Sequence, residues 1–389
     1  MENLRFSCLN NNFQQNKMKT IVVSAVNLNI GGTLTILREC LSYLSSLAKG
    51  GDYRIVALVH KKELALYDNI EYIEIPWSKK RWTNRLWCEY VTMRKISKEL
   101  APITLWLSLH DTTPNVIAEK QAVYCHNPFP FFKWRWKDLL YNYKIVLFAW
   151  FSYFIYRINI KKNDYVIVQQ EWIRKAFEKM LPISRSKIIV APPKNEAVIQ
   201  SRNPQEKKET FTFLYASSPN VHKNFEQICR AAQLLEDTIG KAKFKVVLTV
   251  KGTENMYAQW LHEQWGNVDS IVFHGFMDKK TLYQHYATAD CLIFPSRIET
   301  WGLPISEYAP YNKPMLLADL PYAYETAAGS RHTAFYNPEK PEELKVMMQR
   351  LIDGDTSFLK EVEKQDLEEP KAENWRALFE QLTKSSGSC

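Results

Sequence analysis

The sequence predicts an α/β protein built from two doubly wound domains, each with a parallel sheet covered by helices. The chain has 389 residues, about two to three times an ordinary single-domain core. Short β-branched runs alternate with amphipathic stretches from one end to the other, which is typical of parallel strands joined by crossover helices. The alternation starts again after a polar, charged segment at residues 200–210, so we expect the chain to divide there.

In the first half, seven short runs predict strands and the segments between most of them are amphipathic. These runs lie at residues 20–26, 54–59, 70–75, 103–107, 121–125, 164–168 and 187–190. The second half repeats the pattern with strands at residues 211–216, 245–250, 270–273, 290–294 and 314–318. Residues 224–235 and 303–310 are predicted helices of the second half. Both halves therefore resemble doubly wound, Rossmann-like domains.

These patterns predict five segments along the chain. Residues 1–17 are an Asn- and Gln-rich, disordered lead-in without the apolar core of a signal peptide. Residues 18–199 form the first domain, 200–210 the linker and 211–371 the second domain. Residues 372–389 contain a C-terminal helix. Two domains of this kind can each bury a core of their own.

The composition excludes several classes of protein. Hydrophobic residues make up 46% and charged residues 24%, which excludes wholesale disorder. Seven widely separated cysteines without a C-x-x-C pair argue against a disulfide framework and a zinc ribbon, and favour a reducing cytoplasm. The weak glycine pattern after the first strand lacks G-x-G-x-x-G, so nicotinamide and flavin cofactors are disfavoured.

The positive charge is concentrated in the first half. Residues 1–199 hold 29 Lys and Arg against 16 Asp and Glu, a net charge of +13, and residues 200–389 carry a net charge of −4. A split of this kind predicts that the first half meets something anionic. The basic residues are dispersed and tied to no nucleic-acid motif, so we expect no nucleic acid partner.

One aromatic segment departs from the strand and helix rhythm. Its longest charge-free run, residues 145–156, is too short to cross a bilayer. From Phe129 to Lys144, phenylalanine and tryptophan alternate with Lys133, Arg135, Lys137 and Lys144. This composition is typical of a segment in the headgroup region of a membrane, and equally of a buried helix with a basic outer face. We expect it to contact an anionic membrane surface.

The strongest motif follows the predicted strand 290–294. Residues 295–307 read PSRIETWGLPISE, which places Glu299 on a loop and Glu307 inside a helix that begins near Gly302. Ligands bind at the carboxyl ends of strands in an open α/β sheet, and free backbone N–H groups there suit a diphosphate. Carboxylates beside such a site suit sugar hydroxyl groups.

In this context the chain resembles family 4 of the retaining, nucleotide-sugar-dependent glycosyltransferases. The motif P-S-x-x-E-x-x-G-L-P-x-x-E is preceded by HGFMDKKTLYQHYATAD and followed by KPMLLADLPYAYE. The resemblance spans the chain from Met18 onward and is densest over residues 211–340. It implies the GT-B architecture, in which two Rossmann-like domains face a cleft and the C-terminal helix crosses back to the first domain.

The resemblance also implies roles for individual residues. Glu299 would orient the donor sugar, Glu307 would bind the ribose, and the backbone of Gly302, Leu303 and Pro304 would meet the sugar or the diphosphate. Lys223 corresponds to the lysine that neutralises the donor phosphates.

Four residues of the predicted first domain also match functional positions of the family. Gly31, Gly32 and Thr33 match the glycine loop that approaches the phosphates, although a tight strand-to-helix turn explains them equally well. His126 matches a histidine that faces the reacting sugar.

The chain departs from many relatives at Ser218, where they carry an arginine. This leaves one cation fewer for the leaving diphosphate, and we expect His222 or Arg297 to compensate. It also motivates the alternative of a non-catalytic, nucleotide-sugar-binding scaffold at the membrane.

A further feature concerns metal binding. Asp353-Gly354-Asp355 is a D-x-D sequence, but it follows a helical pattern away from any strand end, so we interpret it as a helix terminus. We expect no metal and no cofactor.

The sequence therefore predicts a cytoplasmic, metal-independent, retaining glycosyltransferase, peripheral on the inner face of the membrane. It would transfer a sugar from a GDP- or UDP-linked donor to an acceptor hydroxyl, on a lipid-linked saccharide of O-antigen or capsule type. Besides the scaffold, a sugar-nucleotide epimerase of the same architecture remains an alternative.

Overall fold

The computed structural model describes residues 18–193 and 210–384. The predicted lead-in at 1–17 and nearly all of the predicted linker lie outside the described residues, as do residues 385–389. The chain forms two compact units. The first takes in the chain up to Leu109 together with Pro114–Gln121, and the second takes in His110–Thr113 and Ala122–Lys384.

The first unit contains a parallel sheet with helices. Its strands β1 (Lys19–Ala25), β2 (Tyr53–Val59), β3 (Glu71–Glu74) and β4 (Leu105–Ser108) lie in the order β3-β2-β1-β4. Its helices are α1 (Gly31–Ala48), α2 (Trp82–Trp87) and α3 (Met93–Glu99). Strand β1 is buried because it is paired on both sides, with Ile21 opposite Ile55 in β2 and Leu105 in β4.

The second unit begins with parallel strands that pair in chain order. They are β5 (Lys120–Tyr124), of which Ala122–Tyr124 lie in this unit, β6 (Tyr165–Val168) and β7 (Ile188–Val190). Two helices lie between them, α4 (Trp136–Arg157) and α5 (Glu171–Met180). The apolar side of α5 packs on β6 and β7, where Ile173 and Phe177 join a buried cluster.

A separate six-stranded parallel sheet lies in the same unit. Its strands are β8 (Phe211–Tyr215), β9 (Phe244–Leu248), β10 (Ile271–Phe273), β11 (Cys291–Phe294), β12 (Met315–Ala318) and β13 (Thr333–Tyr336). Their order is β10-β9-β8-β11-β12-β13. The chain therefore proceeds outward from β8 in both directions, and the topological switch point lies between β8 and β11.

Helices surround this sheet and bury its large apolar cluster. They are α6 (Phe225–Ile239), α7 (Met256–Trp265), α8 (Lys279–Thr288), α9 (Leu303–Tyr308), α10 (Pro321–Thr326) and α11 (Pro341–Ile352). The last helix, α12 (Trp375–Thr383), packs elsewhere in the second unit. The predicted α/β class with parallel sheets is confirmed. Strand β13 had no counterpart among the predicted strands, because its four residues follow a polar turn and are too short for a clear pattern.

The C-terminal segment returns to the strands β5–β7. The Ala372 N–H donates to the Val190 carbonyl oxygen at 2.9 Å, and the Val190 N–H donates to Pro370 at 3.1 Å. The Trp375 ring of α12 lies 6.0 Å from the ring of Tyr124. These contacts attach α12 to the β5–β7 part of the second unit.

Helix α4 is longer than its charge-free run and is kinked. Asn142 has the non-helical dihedrals φ −156° and ψ 68°. Its side-chain oxygen accepts a hydrogen bond from the Ile145 N–H at 3.2 Å, as an N-cap does. Asn142 therefore starts the second segment of the helix after interrupting the first.

Candidate functional site

The site is built at the switch point, on the segments that follow β8 and β11. Lys223 ends a short 3-10 turn after β8, and Glu299 lies on the loop between β11 and α9. Because β8 and β11 are neighbours and parallel, their carboxyl ends lie side by side. Residues 76 positions apart in the sequence are thereby brought together.

Lys223 and Glu299 form an ion pair. The lysine Nζ lies 2.5 Å from the glutamate Oε1, and the two side chains are only 16% and 13% exposed. A partly buried ammonium and carboxylate stabilise each other only while the geometry is good. The pair therefore holds a cation and an anion at the place where a ligand would meet both.

Two polar contacts hold the lysine turn in position. The Tyr215 hydroxyl donates to the Lys223 carbonyl oxygen at 2.8 Å. Asn224 adopts the left-handed conformation, with φ 59°, and its buried amide donates to the carbonyl oxygens of Pro295 and Pro338. Asn224 therefore ties the lysine turn to the loop that carries Glu299. Asn224 had no predicted role in the site. The signal that could have found it is an asparagine directly before a helix, which favours a turn or a cap.

Gly302 requires the conformation that only glycine tolerates well. Its φ is +89°, and a Cβ there would meet Ile305 Cδ1 at 3.3 Å. This lets the chain turn from the Glu299 loop directly into α9, whose first residues are Leu303 and Pro304. Glu307 lies on the same helix and is half-buried. The Tyr286 hydroxyl donates to Glu307 Oε2 at 3.0 Å, while burial raises the pKa of this carboxyl.

Ser218 is exposed on the segment between β8 and the lysine turn. Its hydroxyl accepts a hydrogen bond from the Asn220 amide at 3.0 Å.

The guanidinium of Arg297 faces Asp138 at the start of α4. Its Nη2 donates to Asp138 Oδ1 at 2.7 Å and to the Val221 carbonyl oxygen at 3.0 Å. The side chains of this ion pair are 6% and 5% exposed, and the guanidinium lies over the ring of Phe132. The sequence did not predict Asp138 as a partner, because the two residues lie 159 positions apart.

His222 is enclosed by aromatic rings and buried. The ring of Phe129 lies edge-on at 5.0 Å and that of Phe132 at 6.1 Å. Burial, followed by the positive charges of Lys223 and Arg297, lowers the pKa of His222 well below its usual value. His222 is therefore neutral near pH 7 and adds no cation for the missing arginine at position 218.

His126 follows β5 in the second unit and is also buried. Its ring stacks on Tyr124 with centroids 4.5 Å apart, and its backbone N–H donates to Asp111 Oδ1 at 2.5 Å. The Tyr156 hydroxyl donates to the same carboxylate oxygen at 3.2 Å. Asp111 therefore anchors the backbone at His126 to α4.

Gly31, Gly32 and Thr33 belong to the first unit and begin α1. Gly31 has φ +61°, and the Thr33 hydroxyl donates to the Ile30 carbonyl oxygen at 3.0 Å. These contacts describe a tight entry into the helix.

A second ionic group lies at the start of α4. Arg135 pairs with Glu226 of α6 and with Glu339, which precedes α11. The Tyr257 hydroxyl also donates to Glu226, and burial raises the pKa of this glutamate. Arg135, one of the four basic residues in the predicted membrane segment, is therefore engaged with the second half of the chain.

Asp353 and Asp355 lie where α11 ends, as predicted. Gly354 has φ +83°, and the Asp355 carboxylate accepts hydrogen bonds from Arg350 and Ser357. Within residues 18–193 and 210–384, no group of three or more His, Cys, Asp or Glu side chains could hold a metal ion. In the same part of the chain, no helix is both long and apolar enough to cross a membrane.

Residues 197–366 match the family model described as glycosyl transferases group 1. No curated protein matches the chain. The match confirms the predicted resemblance over this part of the sequence. The second half of the chain is therefore similar in sequence to group 1 glycosyl transferases.

Solved glycosyltransferase structures share the fold at low sequence identity. WaaG, a glycosyltransferase involved in lipopolysaccharide biosynthesis, is 13% identical, with a TM-score of 0.63 over 87% of this chain and 92% of that one. Sucrose-phosphate synthase from Thermosynechococcus elongatus is 12% identical, with a TM-score of 0.62 over 88% and 92%. Anabaena Alr3699/HepE in complex with UDP-glucose is 14% identical, with a TM-score of 0.57 over 94% and 95%. These likenesses confirm the GT-B fold class.

Proposed function

We propose that this protein is a retaining glycosyltransferase that moves a sugar from a nucleoside diphosphate sugar to an acceptor hydroxyl. The observation that supports it best is the Lys223–Glu299 ion pair at the switch point of the sheet. An ammonium suits a diphosphate and a carboxylate suits sugar hydroxyls, and a nucleotide sugar carries both groups next to each other.

The proposed reaction needs no nucleophile from the protein. The bond between the anomeric carbon and the diphosphate oxygen breaks, and the acceptor oxygen bonds to that carbon on the same face. The acceptor proton passes to the leaving phosphate. The protein therefore acts by positioning both substrates and by stabilising the charge on the diphosphate.

Each proposed residue has a part in this arrangement. Lys223 would leave Glu299 for the diphosphate, and Glu299 would then accept hydrogen bonds from the donor sugar. Glu307 would bind the ribose, and the backbone from Gly302 to Pro304 would lie against the sugar or diphosphate. His126 would face the reacting sugar.

We expect Glu299→Gln and Lys223→Ala each to lower kcat/KM by about 10², because one lost transition-state contact of this kind is worth roughly 2.7–4 kcal/mol. The measurement is steady-state transfer from a UDP- or GDP-linked sugar, with circular dichroism as a check on folding. Glu342→Gln and Lys243→Ala, at exposed positions of the same unit, are the matched controls. Near-native turnover in both site variants contradicts the proposed site.

The same assay separates the two alternative functions. A scaffold binds the nucleotide sugar without any turnover, and an epimerase converts the donor sugar when the acceptor is omitted. For the donor base, we propose UDP or GDP. Thermal unfolding with UDP, GDP and ADP compares the candidates, since a ligand at 100 times its Kd adds about 2.7 kcal/mol of stability.

We also propose that the acceptor is a lipid-linked saccharide of a surface polysaccharide, reached from the cytoplasmic face of the membrane. Support comes from α4, which exposes large apolar side chains along its length. They are Trp136, Leu140, Tyr143, Leu147, Trp150, Phe151, Tyr153 and Phe154. Residues 139–163 include no acidic residue, whereas Lys144, Arg157, Lys161 and Lys162 are basic and exposed. An exposed aromatic helix with only positive charges suits an anionic bilayer.

The part of the aromatic segment that we propose contacts the membrane differs from the predicted one. Phe129, Phe131 and Phe132 turn inward, toward His222 and Trp172. The proposed lipid-facing surface therefore begins at Trp134 and continues along α4, beyond the predicted limit at Lys144.

A further inference from the structure

Two adjoining cavities lie beside the loop that carries Glu299. The smaller one, of about 400 Å³, is enclosed by residues of the segment after β5 and of the loops after β11, β12 and β13. The larger one, of about 1120 Å³, lies between α5, α10 and residues 362–367. Lys133, Trp172 and Pro321 line both, so the two cavities are neighbours. Neither Lys223 nor Glu299 is among their lining residues.

A buried arginine, Arg297, lines the smaller cavity and has N–H groups without a hydrogen-bond acceptor in the described chain. The Arg297 side chain is 6% exposed, and its Nη2 is occupied by Asp138 and Val221. Its Nε and Nη1 are buried and have no hydrogen-bond partner within the described chain. Buried N–H groups without an acceptor are costly, so these two atoms favour a ligand that accepts hydrogen bonds.

The charges around the smaller cavity favour an anion. Its carboxylates already have donors, because Asp319 accepts from the Tyr324 hydroxyl at 2.8 Å and Glu339 pairs with Arg135. Lys133 is exposed and forms no ion pair with any residue in 18–193 or 210–384. The unsatisfied groups are therefore the guanidinium and the ammonium. A phosphoryl or carboxylate group satisfies both.

The larger cavity is suited to sugar rings. Trp172, Trp301 and Tyr324 line it. Its charged lining residues include Lys175 and Lys179 of α5 and the carboxylates of Glu171, Glu325, Glu363 and Asp366, which suit sugar hydroxyl groups. Aromatic walls with a few convergent polar groups are typical of small-molecule sites, and about 1120 Å³ has room for more than one sugar ring.

We propose that the two cavities form an acceptor subsite for an anionic saccharide. Its phosphoryl or carboxylate group lies on Arg297 and Lys133, and its sugar rings lie against Trp172 and Trp301. Because Arg297 is two residues before Glu299, a saccharide held there lies beside the proposed donor site. The inference rests on the proposed function, since the saccharide is the acceptor of that reaction.

The test is isothermal titration of the full chain with glucose 1-phosphate, glucuronate and glucose. We expect the two anions to bind and the neutral sugar not to bind measurably. Lys133→Ala and Arg297→Lys should each weaken anion binding about tenfold, because each removes a charged hydrogen-bond donor. Arg297→Lys keeps a positive charge for Asp138 and so protects the fold. Lys161→Ala, an exposed lysine that lines neither cavity, is the control.

A titration with UDP-glucose separates this inference from the proposed function. If the anions fail to bind, if neither variant weakens them, or if UDP-glucose competes with them, the acceptor subsite is wrong. If UDP-glucose fails to bind while the anions still depend on Lys133, the donor assignment is wrong and the subsite stands. Comparison of glucose 1-phosphate with glucuronate shows which oxyanion the subsite prefers.

Discussion

The ammonium of Lys223 is neutralised by a carboxylate before any donor binds. In the proposed reaction, a diphosphate that takes this ammonium would free Glu299, so the two residues would exchange partners in one event. This exchange would link phosphate binding to sugar binding, because the carboxylate would become available for hydroxyl groups only after the phosphates have arrived. A solvated lysine would give no such order.

At Glu307, stability and the proposed binding of ribose would make opposite demands on a single residue. Burial raises its pKa, so the folded protein binds this proton more tightly than the unfolded chain does. The carboxyl therefore lowers stability above the raised pKa, and this cost disappears as the pH falls toward the ordinary value of a glutamate. A stability cost of this kind is expected of a residue with the proposed role in ribose binding, since binding sites are commonly built at the expense of stability.

We expect Glu307→Gln to raise the Tm near pH 7 and to weaken UDP-glucose binding, because the amide removes the buried charge and accepts fewer hydrogen bonds from the ribose. In the wild type, affinity for UDP-glucose should fall as the pH is lowered toward the raised pKa of Glu307. In the variant, the affinity should be low and nearly independent of pH. Thermal unfolding near pH 7 measures the Tm, and calorimetric titrations between about pH 5 and 8 measure the affinity for UDP-glucose. Glu342→Gln is the control in both experiments. A wild type and variant with the same pH profile would show that Glu307 does not bind the donor.

At the scale of single elements, α4 connects two surfaces. Its first turn carries Asp138, which is paired with Arg297 on the Glu299 loop. Beyond the kink at Asn142, its outer side is apolar and exposed. Ala149 of α4 also packs in a cluster with Ile298 of the same loop, so a buried ion pair and an apolar contact connect α4 to the loop that carries Glu299.

We expect the wild type to co-sediment with vesicles that contain anionic phosphatidylglycerol at low salt, and to lose this at high salt. Lys137→Glu, Lys144→Glu and Arg157→Glu together should weaken binding by about a hundredfold or more, since each of these exposed basic residues contributes about 1 kcal/mol near an anionic surface. Leu147→Ser, Trp150→Ser and Phe154→Ser together should weaken it on anionic vesicles at low salt, because they remove exposed apolar side chains. Arg135 is left unchanged because it is paired with Glu226 and Glu339.

The control for this experiment is Val346→Ser with Phe276→Ser, which removes exposed apolar side chains away from α4. If the wild type ignores anionic vesicles at low salt, or both triple variants bind as well as the wild type, the membrane proposal is wrong. A soluble acceptor would then be the better candidate.

On the scale of the whole molecule, the division of charge has a structural counterpart in the second unit. The α4 region, from the basic half of the sequence, places Arg135 against Glu226 and Glu339 from the acidic half. Part of the positive charge of the first half is therefore paired with carboxylates of the second half. The lysines that remain exposed on α4 and beside the cavities are the ones to which we assign the proposed anionic partners.

We expect transfer activity to persist in EDTA, because the proposed charge stabilisation comes from Lys223 and the backbone. Asp353→Asn with Asp355→Asn should leave kcat/KM unchanged and lower the Tm modestly, since Asp355 is bonded to Arg350 and Ser357. Activity measured before and after chelation is the test, with added Mn²⁺ or Mg²⁺ as the control. Complete loss in EDTA that the metal ion restores would contradict metal independence.

The sequence by itself determined the α/β class, the parallel strands and the motif around Glu299, because hydrophobic periodicity and turn residues are local properties. It located Lys223 only through the family resemblance, and it did not identify Asn224. Tertiary structure alone decided that Lys223 pairs with Glu299, that Asp138 takes Arg297, and that His222 is enclosed and neutral. Those outcomes depend on the strand order β8-β11 and on contacts between residues up to 159 positions apart, which no local pattern records.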